Sequence, residues 1–347
     1  MSTGRVEDHT VVAAARGGDK GAFADLTERY RSELQVHCYR MLGSFEESED
    51  LVQETFLRAW RKLGTFEGRS TFRAWLYRIA TNACLDALDR RPAARQVATV
   101  DPTGGTPVAA AAIPWVQPYP DQLLDAVAPS DTEPDAALVA KETIELAFLA
   151  AIQHLPPRQR AVLILRDVLG WSARETAALL EATVASVNSA LQRARPTMKE
   201  YLPARRLDWA RSAHSTSEER EVLKRYMAAI EGADDAAIVN VLRADARCVQ
   251  QPGAGGYEGT EALVVAGRQA IVDSWAPALH GAHPLEFRML ATGANRQPAA
   301  GTYIRFPGAE TFQGFALAVL TVDSGAIDEI AIFGAELLPA FGLPAAF

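Results

Sequence analysis

Cysteine is scarce in this chain. Cys38, Cys84 and Cys248 stand far apart among 347 residues and form no Cys-x-x-Cys spacing. That excludes a disulfide scaffold and a cysteine-rich zinc site, and it fits a reducing cytoplasm. Histidine is scarce too. His280 and His283 are the one close pair, and no acidic helix motif accompanies them, so neither a metal nor a cofactor is expected. No apolar run approaches the roughly 18 residues of a membrane span, and the N-terminus has no apolar signal core. A surplus of positive charge is missing as well. The formal net charge of −8 excludes a generic basic coat for nucleic acid.

Positive charge is instead local. Residues 136–206 carry 10 basic and 6 acidic residues, a balance of +4. They are flanked by residues 96–135, with 6 acids and no base, and by residues 207–347, with 10 bases and 17 acids. Within the basic segment lies SARETAALLEATVASVNSALQRAR, residues 172–195. Ser172 with Glu175 forms a capping box, and Thr183 caps a second helix. Val184, Val187 and Leu191 share one face of that helix at i, i+3 and i+7. The opposite face runs through Ser186, Asn188, Ser189, Gln192, Arg193 and Arg195, with Arg174 on the helix before it. It is small and polar first and cationic last. A helix entering the major groove needs that order, because amides and hydroxyls meet base edges while cations hold phosphates. An ordinary helical hairpin with a solvated face satisfies the same pattern.

Residues 10–95 have helical periodicity and no Pro before Pro92. One helix opens at Asp19 and runs to about Leu42. Gly43-Ser44 breaks it, and Ser48 starts SEDLVQETFLRAWRKL. Asp50, Gln53, Glu54 and Leu57 share a face of this second helix, and Phe56 and Trp60 an adjacent one. A third helix runs from Thr71 to about Arg91 and sets Phe72, Trp75 and Tyr77 among Arg73, Arg78, Arg90 and Arg91. Cations beside aromatics suit melted DNA, and aromatics at this spacing equally serve as core. Residues 96–135 are an acidic, proline-rich linker. Its segment IPWVQPYPD (113–121) sets Trp115 and Tyr119 among prolines and is expected to dock on a surface. Residues 215–347 begin with a helix from Ser217 to about Ile230. Strand patterns follow at 303–306, 312–322 and 327–333, an α+β domain.

Several of these pieces resemble, in order, the motifs of an extracytoplasmic-function (ECF) sigma factor of the sigma-70 family. They are EDLVQETFLRAW (49–60), TFEGRSTFRAWLYRIATNACLDALDRR (65–91), LPPRQRAVLILRDVLGWSARETAALL (155–180) and the hairpin. The resemblance covers roughly residues 10–205. It implies two all-α sigma domains, region 2 at 10–95 and region 4, a helix-turn-helix, at 136–206, joined by the linker 96–135. It implies binding to bacterial core RNA polymerase, at the β′ clamp helices, through Asp50, Gln53, Glu54, Phe56 and Trp60. The loop before the third helix would capture a flipped base of the −10 promoter element. Arg69, Ser70, Arg78, Asn82, Arg90 and Arg91 are the implied −10 contacts. Arg174, Ser186, Asn188, Ser189, Gln192, Arg193 and Arg195 are the implied −35 contacts. Family members often carry arginine at the positions of Asn188 and Ala190. An amide prefers other base edges than a guanidinium, and Arg195, Lys199, Arg205 and Arg206 can supply the phosphate grip. The linker would either thread into the polymerase RNA channel or serve as a solvated tether.

The third domain, residues 215–347, resembles the SnoaL-like fold, a cone-shaped α+β domain with an apolar pocket. Trp275, Tyr303 and Phe312 are the expected pocket wall, with room for a small-molecule ligand. Relatives of this fold use Asp or His as general base, and Asp273, His280 and His283 are the candidates. No nucleophile and base accompany one another, so a regulatory or ligand-sensing domain is expected rather than an enzyme. The expectation is a cytoplasmic, non-enzymatic RNA polymerase sigma factor with no membrane partner. The alternative is a SnoaL-like enzyme fused to a DNA-binding targeting module. A helix-turn-helix repressor is a third reading, but it would need neither the −10 helix nor the clamp motif.

Overall fold

The structure is a computed structural model that describes residues 11–68, 70–91, 112–125, 144–202 and 217–347. Its contacts divide these into two units. One holds the described residues within 1–107 and 151–207; the other holds those within 108–125, 132–150 and 208–347.

The first unit is helical. Asp19 caps α1 (Lys20–Leu42), its carboxylate accepting from the Ala22 amide at 3.0 Å. Gly43 closes α1 at φ 78°, a left-handed conformation that glycine adopts without penalty. The next helix starts earlier than Ser48. Ser44 is the extended N-cap of α2 (Phe45–Lys62) and accepts from the Glu47 amide, whereas Ser48 is buried and donates to Phe45 O at 2.6 Å. Gly43 has already ended α1, so Ser44 is the first residue free to take the cap conformation. Thr71 caps α3 (Phe72–Asp89). The three helices bury Leu26, Leu34, Met41, Leu76 and Ala80 completely.

His37 lies in that core, with Nε2 2.9 Å from Thr81 Oγ1. Thr81 donates its own proton to Tyr77 O at 2.7 Å, so His37 is the donor in its bond.

Helix α4 (Pro157–Leu163) passes into a π-helical turn, Ile164–Val168. The hairpin follows as α5 (Ala173–Leu179) and α6 (Val184–Tyr201). Arg160 of α4 is buried. Its guanidinium donates to Met41 O, to Gln153 Oε1 at 2.8 Å and O at 3.0 Å, and to Leu155 O at 3.2 Å. It therefore ties α4 to the end of α1.

The second unit is α+β, as expected of a SnoaL-like domain. Its longer helices after residue 216 are α7 (Ser217–Glu231), α8 (Asp235–Val241) and α9 (Arg268–His280). Its strands are β1 (Leu242–Gln250), β2 (Leu263–Ala266), β3 (Glu286–Ala294), β4 (Gln297–Arg305), β5 (Gln313–Asp323) and β6 (Ala326–Gly334). They form one sheet in the order β2-β1-β6-β5-β4-β3, antiparallel except for β1 beside β6. A core cluster that includes Val222, Tyr226, Ile271, Met289, Leu320 and Ile330 binds the helices to one face. The C-terminal segment lies against the sheet elsewhere, because a Cβ at Gly301 would sit 2.7 Å from Leu343 Cδ1. Strand β4 is buried from Gln297 through Ile304, which is why its run PAAG carries no alternating pattern.

The segment 112–125 belongs to this second unit. Ile113, Val116, Tyr119 and Leu124 are buried, so the docking expected for 113–121 is present.

Candidate nucleic-acid interface and ligand cavity

On α2 the acidic and amide face is open. Asp50 and Gln53 are exposed, Glu54 is half-exposed, and Leu57 is 53% exposed. Arg58 donates to Glu54 at 2.8 Å, and that hydrogen bond holds the Glu54 carboxyl below the usual carboxylate range. The two aromatics are half-buried against α1. Arg31 lies 5.2 Å over the Phe56 ring, and Trp60 meets Phe23 edge-on at 5.0 Å. Leu57 was not among the expected contacts. Its signal was present in the sequence, an apolar residue on an otherwise polar face.

Of the expected −10 contacts, Ser70, Arg78, Asn82 and Arg90 are exposed on or before α3. Arg69 lies outside the described residues. Arg78 is paired with Glu181, in the turn of the hairpin, which itself has φ 51°. Arg90 donates to Asp86 O at 3.0 Å. Arg91 is a correction. Its side chain is 8% exposed, paired with Glu47 and donating to Leu42 O at 3.3 Å. The end of α3 lies over the end of α1, so this arginine holds the helices together and is not presented to DNA. Phe66, Phe72 and Trp75 form a ring cluster at 5.2 to 5.7 Å, in which only Trp75 is half-exposed. Tyr77 is buried between His37 and Trp171.

The hairpin is built as its sequence indicates. Ser172 and Glu175 exchange both capping-box bonds, at 3.2 and 2.8 Å, and Thr183 accepts from Ser186 N at 3.1 Å. Val187, Ala190, Leu191, Ala194 and Met198 are buried along one side of α6. Val184 is 43% exposed, because it lies in the first turn, beyond the reach of α5. On the other side Ser186, Asn188, Gln192 and Arg193 are exposed, Ser189 is half-exposed, and Arg174 is exposed on α5. Arg193 donates to Ser189 Oγ at 2.9 Å. Arg195 grips Asp167 with two bonds, at 3.0 and 2.9 Å, from the flank of this face. Ala190 is buried, so of the two departures from the family pattern only Asn188 lies on the exposed face. Lys199 is exposed; Arg205 and Arg206 lie outside the described residues.

The second unit holds a cavity of about 300 Å³ between α7, α9 and the sheet. Trp275 lines it, with Tyr226, Leu279, Phe287, Phe315 and Ile332 among its other walls. Tyr303 and Phe312 do not. Thr302 faces the cavity, so the next residue on the strand, Tyr303, faces away; its hydroxyl donates to Pro344 O at 2.7 Å. Phe312 stacks on Phe347 at 5.6 Å, under Arg305. Phe315 reaches the cavity because it is the extra residue where the β4–β5 register shifts. The candidate bases are elsewhere. Asp273 accepts from Gln269 at 2.9 Å, His280 lies 2.9 Å from Asp235, and His283 is exposed. Among the described residues no group of His, Cys, Asp and Glu could hold a metal ion.

The linker and the start of region 4 are both gripped near this domain's β3–β4 turn. Asn295 and Arg296 turn the hairpin at φ 56° and 61°. The Asn295 side chain accepts from Tyr119 N at 2.7 Å and donates to Ile144 O at 2.6 Å. Gln297 accepts from Leu146 N at 3.0 Å, and Asp121 accepts from Arg296 N at 2.7 Å. From β1, Gln251 donates to Ile113 O at 3.1 Å and Val116 O at 2.8 Å.

Comparison with known proteins accounts for the helical regions. The family model Sigma-70 region 2 matches residues 26–93, and Sigma-70, region 4 matches residues 145–198. The chain is 39% identical to the ECF RNA polymerase sigma factor SigG of Mycobacterium tuberculosis, across 98% of this chain and 90% of that protein. It is 31% identical to the ECF sigma factor SigW of Bacillus subtilis, across 55% of this chain and 94% of that protein. Its fold is similar to the crystal structure of the Mycobacterium tuberculosis ECF sigma factor SigJ, with TM-score 0.56 and 21% identity over 92% of this chain and 98% of that one. With region 2 and region 4 in order and a relative alike along nearly its whole length, the chain belongs to the ECF RNA polymerase sigma factors.

Proposed function

We propose that this sigma factor binds bacterial core RNA polymerase through the α2 face of Asp50, Gln53, Glu54 and Leu57, against the β′ clamp helices. Phe56 and Trp60 brace that face from behind. Region 2 (10–95) then reads the −10 element with Arg69, Ser70, Arg78, Asn82 and Arg90. Region 4 (136–206) reads the −35 element with Arg174, Ser186, Asn188, Ser189, Gln192 and Arg193, and Arg195 stands ready at the flank. The observation that carries this is α6: a buried apolar seam on one side, and on the other an exposed face of amides and hydroxyls ending in a cation. The protein acts in the cytoplasm. Among the described residues no helix is long and apolar enough to cross a membrane.

The domain at 215–347 regulates rather than catalyses. What supports this is its grip on the linker (96–135) and on the start of region 4, through Asn295, Gln297 and Gln251. The enzyme alternative finds no carboxylate or imidazole among the cavity walls to carry a proton. The test is in vitro transcription with bacterial core polymerase and a genomic promoter library. Initiation at defined start sites that depends on this protein is expected. Neither initiation nor core binding, with polymerase active on a control template, would overturn the reading.

A further inference from the structure

The cavity of the second unit has a one-sided chemistry. Its walls include Trp275, Phe287 and Phe315, and among the described residues no Asp, Glu, His, Lys or Arg lines it. Its ionisable walls are tyrosines and Cys248. Burial, with the Glu329 charge nearby, pushes the Cys248 thiol up to about 12, and burial also raises the Tyr226 hydroxyl. Both groups are neutral at physiological pH. A charged guest would lose its water and gain no counter-ion, at a cost of several kcal/mol. An uncharged guest with a flat ring would gain the apolar surface and the aromatic walls.

The same cavity adjoins the linker through two consecutive residues. Gln250 lines it and donates to Ala254 O at 2.5 Å and Gly255 O at 3.1 Å, fixing the turn that closes one wall. That turn is tight against the cavity, since a Cβ at Gly256 would sit 3.3 Å from the Phe315 ring. Gln251, the next residue, grips Ile113 and Val116 of the linker. Its amide also bonds to the carbonyl of Ile332, a wall residue, at 3.0 Å.

We infer that the cavity is a binding site for an uncharged, ring-bearing apolar small molecule, and that residues 250–257 transmit its occupancy to the linker. The second half of this rests on the regulatory reading of the domain; the binding half does not. A guest that wedges Phe315 or the 254–257 turn shifts Gln250, and Gln251 moves with it. Occupancy is felt only insofar as the guest favours one position of this turn over another.

The probe is N-phenyl-1-naphthylamine, a neutral dye that brightens in apolar sites, added to the full chain. Saturable binding at one site per chain is expected. Naphthol should displace it at least about 10-fold more effectively than naphthoate, the same ring with a charge. Ala278→Phe and Ala318→Val, which each add bulk at a wall residue, should each weaken the dye about 10-fold or more with unchanged circular dichroism. Absence of saturation, equal displacement by both naphthalenes, or unchanged affinity in both variants would overturn the site. For transmission, hydrogen exchange of residues 113–121 is followed with and without saturating dye. A change of about 3-fold or more is expected, and Gln251→Ala should abolish it while binding the dye as before. Unchanged exchange in the parent chain, with the dye bound, overturns transmission and leaves the site standing. No polymerase or DNA enters these readouts, so they succeed or fail apart from the sigma assignment.

Discussion

His37 is held neutral in the core of region 2. Burial is the main reason, with the charges of Arg40 and Arg73 adding to it, and together they lower its pKa to about 3. An unfolded imidazole takes up its proton below about 6.5. The unfolded chain therefore binds more protons throughout that interval. Stability is fully present above it and is lost as pH falls from about 6.5 toward 3. His154, stacked on Tyr201 at 3.7 Å and lowered to about 4 by burial, acts in the same direction. Urea unfolding at pH 7 and pH 5 should differ by about 2 kcal/mol on account of His37 alone. His37→Gln keeps a donor for Thr81 and should shrink that difference by a similar amount; an unaltered difference would exclude His37 as its source. Arg78 and Glu181 are a different case, since both side chains are largely exposed. Such a pair contributes about 0.2–1 kcal/mol, so Arg78 can exchange Glu181 for another anion at little cost.

The elements were legible where their signals are local. The capping box of α5, the buried seam of α6 and the strands β5 and β6 follow from residues within a few positions of one another. Ser44 and Ser48 were harder, because both have cap chemistry and only the preceding glycine decides between them. Strands β1, β2 and β3 escaped the pattern altogether, and of β4 only the end at 303–306 was read. Strand β1, LRADARCVQ, has Arg243 in contact with Asp245, Asp323 and Asp328, and its charges mask its alternation. Strand β4 uses Ala and Gly where other segments press close. The cavity wall was only partly legible, since Trp275 sits on a helix while Phe315 depends on a register shift that no sequence period reveals. At this scale Asn295 is the decisive side chain, because it bonds both the linker and the start of region 4. Chymotrypsin cleavage after Trp115 should be about 10-fold faster in Asn295→Ala, with the sheet intact by circular dichroism. Equal cleavage rates would mean the apolar contacts of Ile113, Val116 and Tyr119 suffice by themselves.

At the scale of the whole molecule, one chain carries both the promoter-reading regions and a domain that holds the segment between them. On the regulatory reading proposed above, a free connector would let region 2 and region 4 take the separation a promoter sets, and a gripped one would not. Ending the chain after residue 206 removes the grip. Transcription by core polymerase should then rise several-fold at equal protein concentration, since the competent arrangement no longer has to be drawn from a minor population. Equal or lower transcription from the shortened chain, with equal core binding, would show that the domain assists and does not restrain. Asn295→Ala in the full chain should move in the same direction by a smaller step.

The grip also has a place in time. The connector is made early in synthesis, but the turn that captures it, Asn295-Arg296, follows the end of region 4 by about 90 residues. At about 5–20 residues per second, the two regions leave the ribosome on the order of ten seconds before that turn does. Each new molecule therefore spends its first seconds without the bonds from Asn295 to Tyr119 and Ile144.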